Sequence, residues 1–362
     1  MRYAHQWILR AFISAMLAGC TAAPNNSPVA AGAVGWRGAV PSVFEDMSTG
    51  KLPFDLQRGG RAAVHGVPAP KAAKKGIYVS QYVNSVVYGF SNKKKSEKTK
   101  GPICQAPWKM SGPVYVAVDG KGNLLEVDSA ALYPTNIGQG PDMCGSLAAT
   151  IQDRQGYADA VASRDALNGI VAIANQWDYS NYGLAPGSIS VCTVAAGCTA
   201  NLTNSAMYRL AGVAIDRNGN CWASALNGPS GSATLTYFQG CSGSGQQTSG
   251  YQNSGYGGLD IDKQGNIVAM SYAFNYTTTL YVYSGCNPAC KLVGGPFNLL
   301  GISTAGHLNA ASTKFVVADS QYGQVDIYSY SPTKVTYKYS FNDGLNQQDV
   351  VGGVAVNPAS SE

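Results

Sequence analysis

Short apolar runs broken by one recurring polar turn organise this chain. A strand-like run ends in Asp119-x-x-Gly122-Asn123, and a second apolar run follows. The same arrangement returns at Asp216-x-x-Gly219-Asn220 and at Asp262-x-x-Gly265-Asn266. In such a turn Asp caps through its side chain, Gly supplies the positive φ, and Asn tolerates the exit. Two apolar runs joined this way predict a β-hairpin. After residue 20 no long stripe of period 3.6 occurs, so little helix is expected.

A lone hairpin cannot bury its apolar face, so a recurring one implies stacked copies. Asp119 and Asp216 lie 97 residues apart, and Asp216 and Asp262 lie 46 apart. The long gap holds about two periods, and a worn copy falls inside it at Ala158 to Asp165, with Asn168-Gly169 and Ile170 to Ile173. A further worn copy is read at Leu300 to Ala305, followed by Lys314 to Ala318. A truncated one is read at Val351 to Pro358. Six first strands at intervals of about 45 to 51 residues match the period of a four-stranded propeller blade. The last copy lacks a second strand, whereas Gly76 to Ser80 and Ser85 to Phe90 lack a first. Together they complete one blade. The predicted fold is all-β: a six-bladed β-propeller over 76–358 with four-stranded antiparallel blades, its C-terminal strand closing the first.

The repeated units resemble six-bladed propellers of the NHL and SMP-30-like group, in which a strand ending in Asp-x-x-Gly-Asn opens each blade. The resemblance implies that the Asp119, Asp216 and Asp262 turns lie away from the usual binding face. Asp119, Asn123, Asp216, Asn220, Asp262 and Asn266 are therefore read as structural. It also implies a functional face built from the loops entering first strands and those joining second to third strands. On that face fall Gln81, Asp128, Trp177, Asp178, Arg209, Asn227, Tyr272 and Asp319, a mixture of aromatic, amide and carboxylate groups that suits a carbohydrate or peptide. SMP-30-type lactonases hold a divalent metal there on Glu, Asn and Asp. That set has no residue-by-residue match here, although Asp128, Asp178 and Asp319 are candidates to converge.

The N-terminus carries Arg2 and Arg10, an apolar run from Ala11 to Leu17, then Ala18-Gly19-Cys20. These are the parts of a secretory signal, with a run too short to span a bilayer. Leu17 to Cys20 resembles the lipobox of bacterial lipoproteins. That resemblance implies cleavage after residue 19 and acylation of Cys20, which would tie the chain to a membrane. Thr21 follows in place of the aspartate that marks inner-membrane retention, so the expected address is the outer membrane or extracytoplasmic surface of a bacterial cell envelope. Residues 20–35 read as a flexible tether and 36–75 as an arm that could dock on the ring. The basic run Lys93 to Lys100 reads as a solvated hairpin loop.

Charged residues make up 12% of the 362, about half the usual share. Without Arg2 and Arg10, 23 of the 25 basic residues stand against 20 acidic ones, a net +3. That gives no footing for nucleic-acid binding. Setting Cys20 aside, eight cysteines remain. Cys192–Cys198 and Cys286–Cys290 flank equivalent turns two blades apart. Cys221 begins a second strand and Cys241 ends the third, so antiparallel pairing brings them together. Cys104–Cys144 follows by elimination. Four disulfides require an oxidising compartment, in agreement with export.

No nucleophile elbow, zinc-binding His motif or phosphate-cradling loop occurs. Beyond the signal the histidines are His65 and His307, and His307 is placed in the first turn of a worn repeat, on the face opposite the ligand loops. The sequence thus favours a non-enzymatic binding or scaffold lipoprotein for a peptide, glycan or protein partner, with no cofactor. The alternative is a metal-dependent SMP-30-like hydrolase or lactonase, with Ca²⁺ the candidate ion. A streptogramin-lyase-like activity would need His307 at the channel mouth.

Overall fold

In the computed structural model, Asp-x-x-Gly-Asn turns join the first strand of a sheet to its second. At Asp216 the carboxylate accepts the backbone N–H groups of Asn218 and Asn220, and Asn220 Nδ2 as well. Gly219 takes φ +80°. Asp119 and Asp262 repeat these bonds. Asn does more than tolerate the exit, since its amide closes the turn onto the carboxylate. The structure describes residues 76–359 apart from 83, 92–100, 109, 111, 129–133, 139–143, 179–185, 228–231, 253–256, 274–276, 304, 343 and 346–350. The signal, Cys20, the tether, the arm with His65 and the basic run 93–100 lie outside the described residues.

Six four-stranded antiparallel sheets form. Blade 1 pairs Val351–Asn357, Gly76–Gln81, Val86–Ser91 and Cys104–Gln105. Blade 2 runs Pro113–Val118, Leu124–Asp128, Pro134–Gly138, Leu147–Gln152. Blade 3 runs Gly156–Ser163, Val171–Asp178, Ser188–Thr193, Gly197–Thr203. Blade 4 runs Arg209–Ile215, Cys221–Leu226, Ala233–Phe238, Gln246–Gln247. Blade 5 runs Leu259–Ile261, Ile267–Ala273, Thr277–Ser284, Lys291–Leu299. Blade 6 runs Gly306–Leu308, Lys314–Asp319, Gln324–Ser331, Lys334–Phe341.

Each first strand packs against the first strand of the next blade, and the sixth returns to the first, so these strands line an axis. The ring closes as expected, with Ile77 opposite Val356, Tyr78 opposite Ala355 and Ser80 opposite Gly353. That pairing removes the free sheet edge an open ring would expose. Apolar side chains from adjacent sheets fill the space between blades, among them Ile173, Ile189, Leu210 and Phe238.

In blade 6 the structure shifts the expected first strand. It is Gly306–Leu308 rather than the run ending at Ala305. Its turn replaces Asp by Asn309, whose Oδ1 accepts Thr313 N and Lys314 N, and replaces Gly by Ser312 at φ +49°. The substitutions keep the geometry and hide the motif.

The disulfides are Cys104–Cys144, Cys192–Cys198, Cys221–Cys241 and Cys286–Cys290. Cys241 sits in a 3-10 turn after its third strand, which ends at Phe238. Cys104–Cys144 joins blade 1 to blade 2. Four such bonds point to an oxidising, extracytoplasmic environment. No helix among the described residues is long and apolar enough to cross a membrane.

Candidate functional site

Five of the six innermost strands carry a polar side chain toward the axis of the ring. Counted back from the capping residue of each turn, Asp260 and His307 stand two positions away, Tyr115 four, Asp159 six and Arg209 seven. At about 3.3 Å per residue, the series runs from the far end of the axis to the mouth where strands enter.

At the far end, His307 Nδ1 lies 3.5 Å from Asp260 Oδ2. Asp260 is itself fixed: Oδ1 accepts Ile261 N and Oδ2 accepts Leu308 N, both at 2.7 Å. The carboxylate of blade 5 therefore holds the backbone and the imidazole of blade 6. His307 meets the edge of Tyr115 with ring centroids 5.5 Å apart. Their strands belong to blades 6 and 2, with blade 1 between, so the contact reaches across the inner edge of blade 1. Gly353 makes room there, since a Cβ on it would fall 2.9 Å from Tyr115 Cα and 2.7 Å from Val116 N. Among the described residues, neither the buried Tyr115 hydroxyl nor His307 Nε2 has a hydrogen-bond partner.

Tyr115 is held as a neutral phenol. Burial raises its pKa, and the charges of Asp260 and Asp159 raise it further. Burial also pushes the Asp159 carboxyl up to about 7, against the lowering pull of Arg209 at the mouth. Asp159 thus changes charge near neutrality. The structure corrects the reading of His307: it lies within an innermost strand, opposite Val316, and not in a turn on the far face.

At the lip of the mouth, Tyr82 of blade 1 lies near both Asp128 of blade 2 and Tyr157 of blade 3. Burial and then Asp128 raise the Tyr82 phenol, and burial and then Tyr82 raise that of Tyr157.

Other carboxyl groups are buried as well. Glu126 accepts Asn136 Nδ2 in blade 2, and burial raises its pKa well above the usual range, helped by Asp128. Asp153, in the segment between blades 2 and 3, accepts Ser190 Oγ of blade 3, which also meets Asn175. In blade 6, burial and the neighbouring Asp326 push Asp319 up to about 7. Gln324 Nε2 donates to Asp326 at 2.9 Å and to Asp319 at 3.4 Å.

No protein-family model matches the sequence, and no curated protein matches it. Solved structures do. A periplasmic gluconolactonase of Pseudomonas aeruginosa matches with a TM-score of 0.53 at 13% identity, over 75% of this chain and 97% of that one. A provisionally named 6-phosphogluconolactonase from Bacteroides fragilis matches at 0.50 and 13%, over 80% and 99%. A chain of a nidogen/laminin complex matches at 0.52 and 15%, over 80% and 100%. The likeness is one of fold.

Of the loop-face residues named from the sequence whose side chains are described, Arg209 alone joins the axial group. Gln81, Asp128 and Asp319 are buried at the ends of second strands. Asp128 accepts Gly112 N, and Asp319 accepts Gln321 N and Tyr322 N. Asn227 is exposed, with its backbone N–H bonded to Ser232 O. Trp177, Asp178 and Tyr272 lie on second strands, and their side chains fall outside the described set. Among the described residues no group of three His, Cys, Asp or Glu side chains stands close enough to hold a metal ion. Tyr115, Asp159 and Asp260 were legible only as polar letters inside otherwise apolar strands, in Ala158-Asp-Ala160 and Leu259-Asp-Ile261.

Proposed function

We propose that the protein is an exported, lipid-anchored binding ring of the bacterial envelope whose ligand seats at the mouth of the axial cluster. Carrying this reading is the convergence of Tyr115, Asp159, Arg209, Asp260 and His307 from five blades, with a buried hydroxyl and a buried imidazole nitrogen unpartnered. Orphaned buried polar atoms are costly, and each calls for an explanation. Anchoring rests on Cys20 and its lipobox-like context, and export is supported by the four disulfides.

The alternative, a metal-dependent lactonase of the SMP-30-like kind, draws on gluconolactonase names among proteins of similar fold. Among the described residues no three His, Cys, Asp or Glu side chains converge, and the side chain of the candidate Asp178 lies outside them.

Thermal-shift screening of the full chain against envelope saccharides, peptides and lipids tests the binding reading. One class should raise the Tm by about 2 °C or more, and Arg209→Ala should abolish the shift. A shift kept in Arg209→Ala, or none with any class, overturns it. For the anchor, metabolic labelling with an alkynyl fatty acid should mark the wild type and not Cys20→Ala.

A further inference from the structure

We infer that the ring lies with its turn end, the end of the axis away from the mouth, against an anionic phospholipid surface. The mouth then points away from the bilayer. The choice of a bilayer over another anionic surface rests on the anchored reading above.

The turns decide which residues reach that end. In Asp-x-x-Gly-Asn the Asp and Asn side chains are spent on each other and on the N–H groups of the turn, so only the two x positions carry no structural duty. Blades 2, 4 and 5 each place a base there: Lys121, Arg217 and Lys263, all exposed. Arg164, exposed at the turn of blade 3, donates to the Arg217 carbonyl oxygen of blade 4, and Lys314 closes the turn of blade 6. Five consecutive blades thus present a base at equivalent positions around one end of the axis. Lys291 and Lys334, both exposed, begin the outer strands of blades 5 and 6 at the same end. The carboxylates there, Asp119, Asp165, Asp216 and Asp262, bond back onto their own turns. Among the described residues bases therefore outnumber acids at this end. The mouth end has no such ring: there Arg154 and Arg209 stand beside Asp128, Asp153, Asp159 and Asp319.

Two further observations choose a bilayer. Exposed apolar side chains share this end. Leu147 and Leu292 stand at the start of outer strands, and Ile170 and Val194 flank the second and third strands of blade 3. Each is between 37% and 46% exposed. Bases beside exposed apolar groups suit the membrane interface, where the bases meet phosphates and the apolar groups enter the boundary with the acyl chains. A soluble polyanion offers nothing to the second set. The path of the chain agrees. Gly76 pairs with Asn357 at the turn end of the innermost strand of blade 1, so the segment that follows Cys20 joins the ring at this same end.

The test is flotation of the full chain, carrying Cys20→Ala so that no acyl chain contributes, with vesicles of phosphatidylcholine alone or mixed equally with phosphatidylglycerol. The mixed vesicles should carry more protein than the neutral ones, and added salt should release the excess. Arg217→Glu/Lys263→Glu should weaken the excess binding by at least about tenfold, since each base near an anionic surface is worth about fivefold. Both side chains are exposed, so the Tm should hold and a loss of binding is not a loss of fold. Arg154→Glu/Lys338→Glu changes the net charge equally, at the mouth and on an outer strand, and should keep the binding. Equal loss in both pairs, or equal flotation with neutral and anionic vesicles, overturns the inference. Capture by soluble polygalacturonate without vesicle binding also overturns it, and makes the surface a glycan site. Vesicle binding through Arg217 and Lys263 in a chain whose Cys20 takes no fatty acid leaves the surface standing and removes the anchor. A labelled Cys20 without such binding does the reverse.

Discussion

Asp260 Oδ2 accepts the backbone N–H of Leu308, 48 residues away, at 2.7 Å, while its other oxygen accepts Ile261 N. One carboxylate therefore fastens the innermost strands of blades 5 and 6 and steers His307 between them.

Removing that carboxylate strands a buried N–H. Asp260→Ala should cost about 1–3 kcal/mol in urea unfolding, and His307→Ala should cost less because Nε2 loses no partner. Equal losses would mean that the carboxylate acts through the imidazole alone.

The turn repeats are unequal in their reach. Asp216 serves its own hairpin, including Trp222 Nε1, whereas Asp262 also accepts the Tyr330 hydroxyl from the next blade at 2.9 Å. Each loses one bond beyond its turn, but Asp262→Ala leaves the Tyr330 hydroxyl buried while Trp222 Nε1 is only part-buried, so Asp262→Ala should destabilise more than Asp216→Ala, by about 1 kcal/mol. Tyr330→Phe in the Asp262→Ala background should restore part of the difference, because it removes the orphaned hydroxyl. Unfolding curves of the two single variants and the double variant read this directly.

Most of the ring could be read because it is built from local rules repeated six times. Asp-x-x-Gly-Asn fixes a hairpin by bonds between near neighbours, and the period counts the blades. Copies that keep the geometry with other letters, such as Asn309 with Ser312, blurred one boundary and so misplaced His307. The axial site was harder for a different reason. Tyr115 and His307 touch only because the ring brings blades 2 and 6 around Gly353, and no local spacing records a contact between residues 192 positions apart. Asp128 and Asp319 end second strands, and sequence could not show that they turn inward to bond their own blades.

The two carboxyls held near 7 fix the sign of the pH dependence. Asp159 and Asp319 titrate higher folded than in an unfolded chain, mainly through burial. Between about 4 and 7 the folded state then binds more protons than the unfolded state, so these groups make stability fall as pH rises through that window. Asp319→Asn, which keeps an oxygen for Gln321 N and Tyr322 N, should be more stable than wild type at pH 8. Its advantage should shrink toward pH 5. Denaturant midpoints at pH 5, 6, 7 and 8 check this, and an advantage that grows on acidification would contradict the assignment.

Ring closure makes the last strand the one whose loss should be hardest to tolerate. Val351–Asn357 pairs with Gly76–Gln81 along its length and packs on the first strands of blades 2 and 6. A chain ending at residue 350 would expose the backbone of Gly76–Gln81 as a free edge lined by buried side chains, a template for association. The truncated chain should form soluble oligomers or aggregate on size-exclusion chromatography, where the full chain elutes as a discrete species. Val354→Asp, which puts a charge at a fully buried position of the same strand, should do likewise without shortening the chain. Shortening the chain only to residue 359 leaves every closing pair intact and should leave elution and Tm unchanged. A ring that stays monomeric and fully folded without residues 351–362 would show that blade 1 is held from its outer strands, with Cys104–Cys144 as the fastening, and that the terminal strand is dispensable.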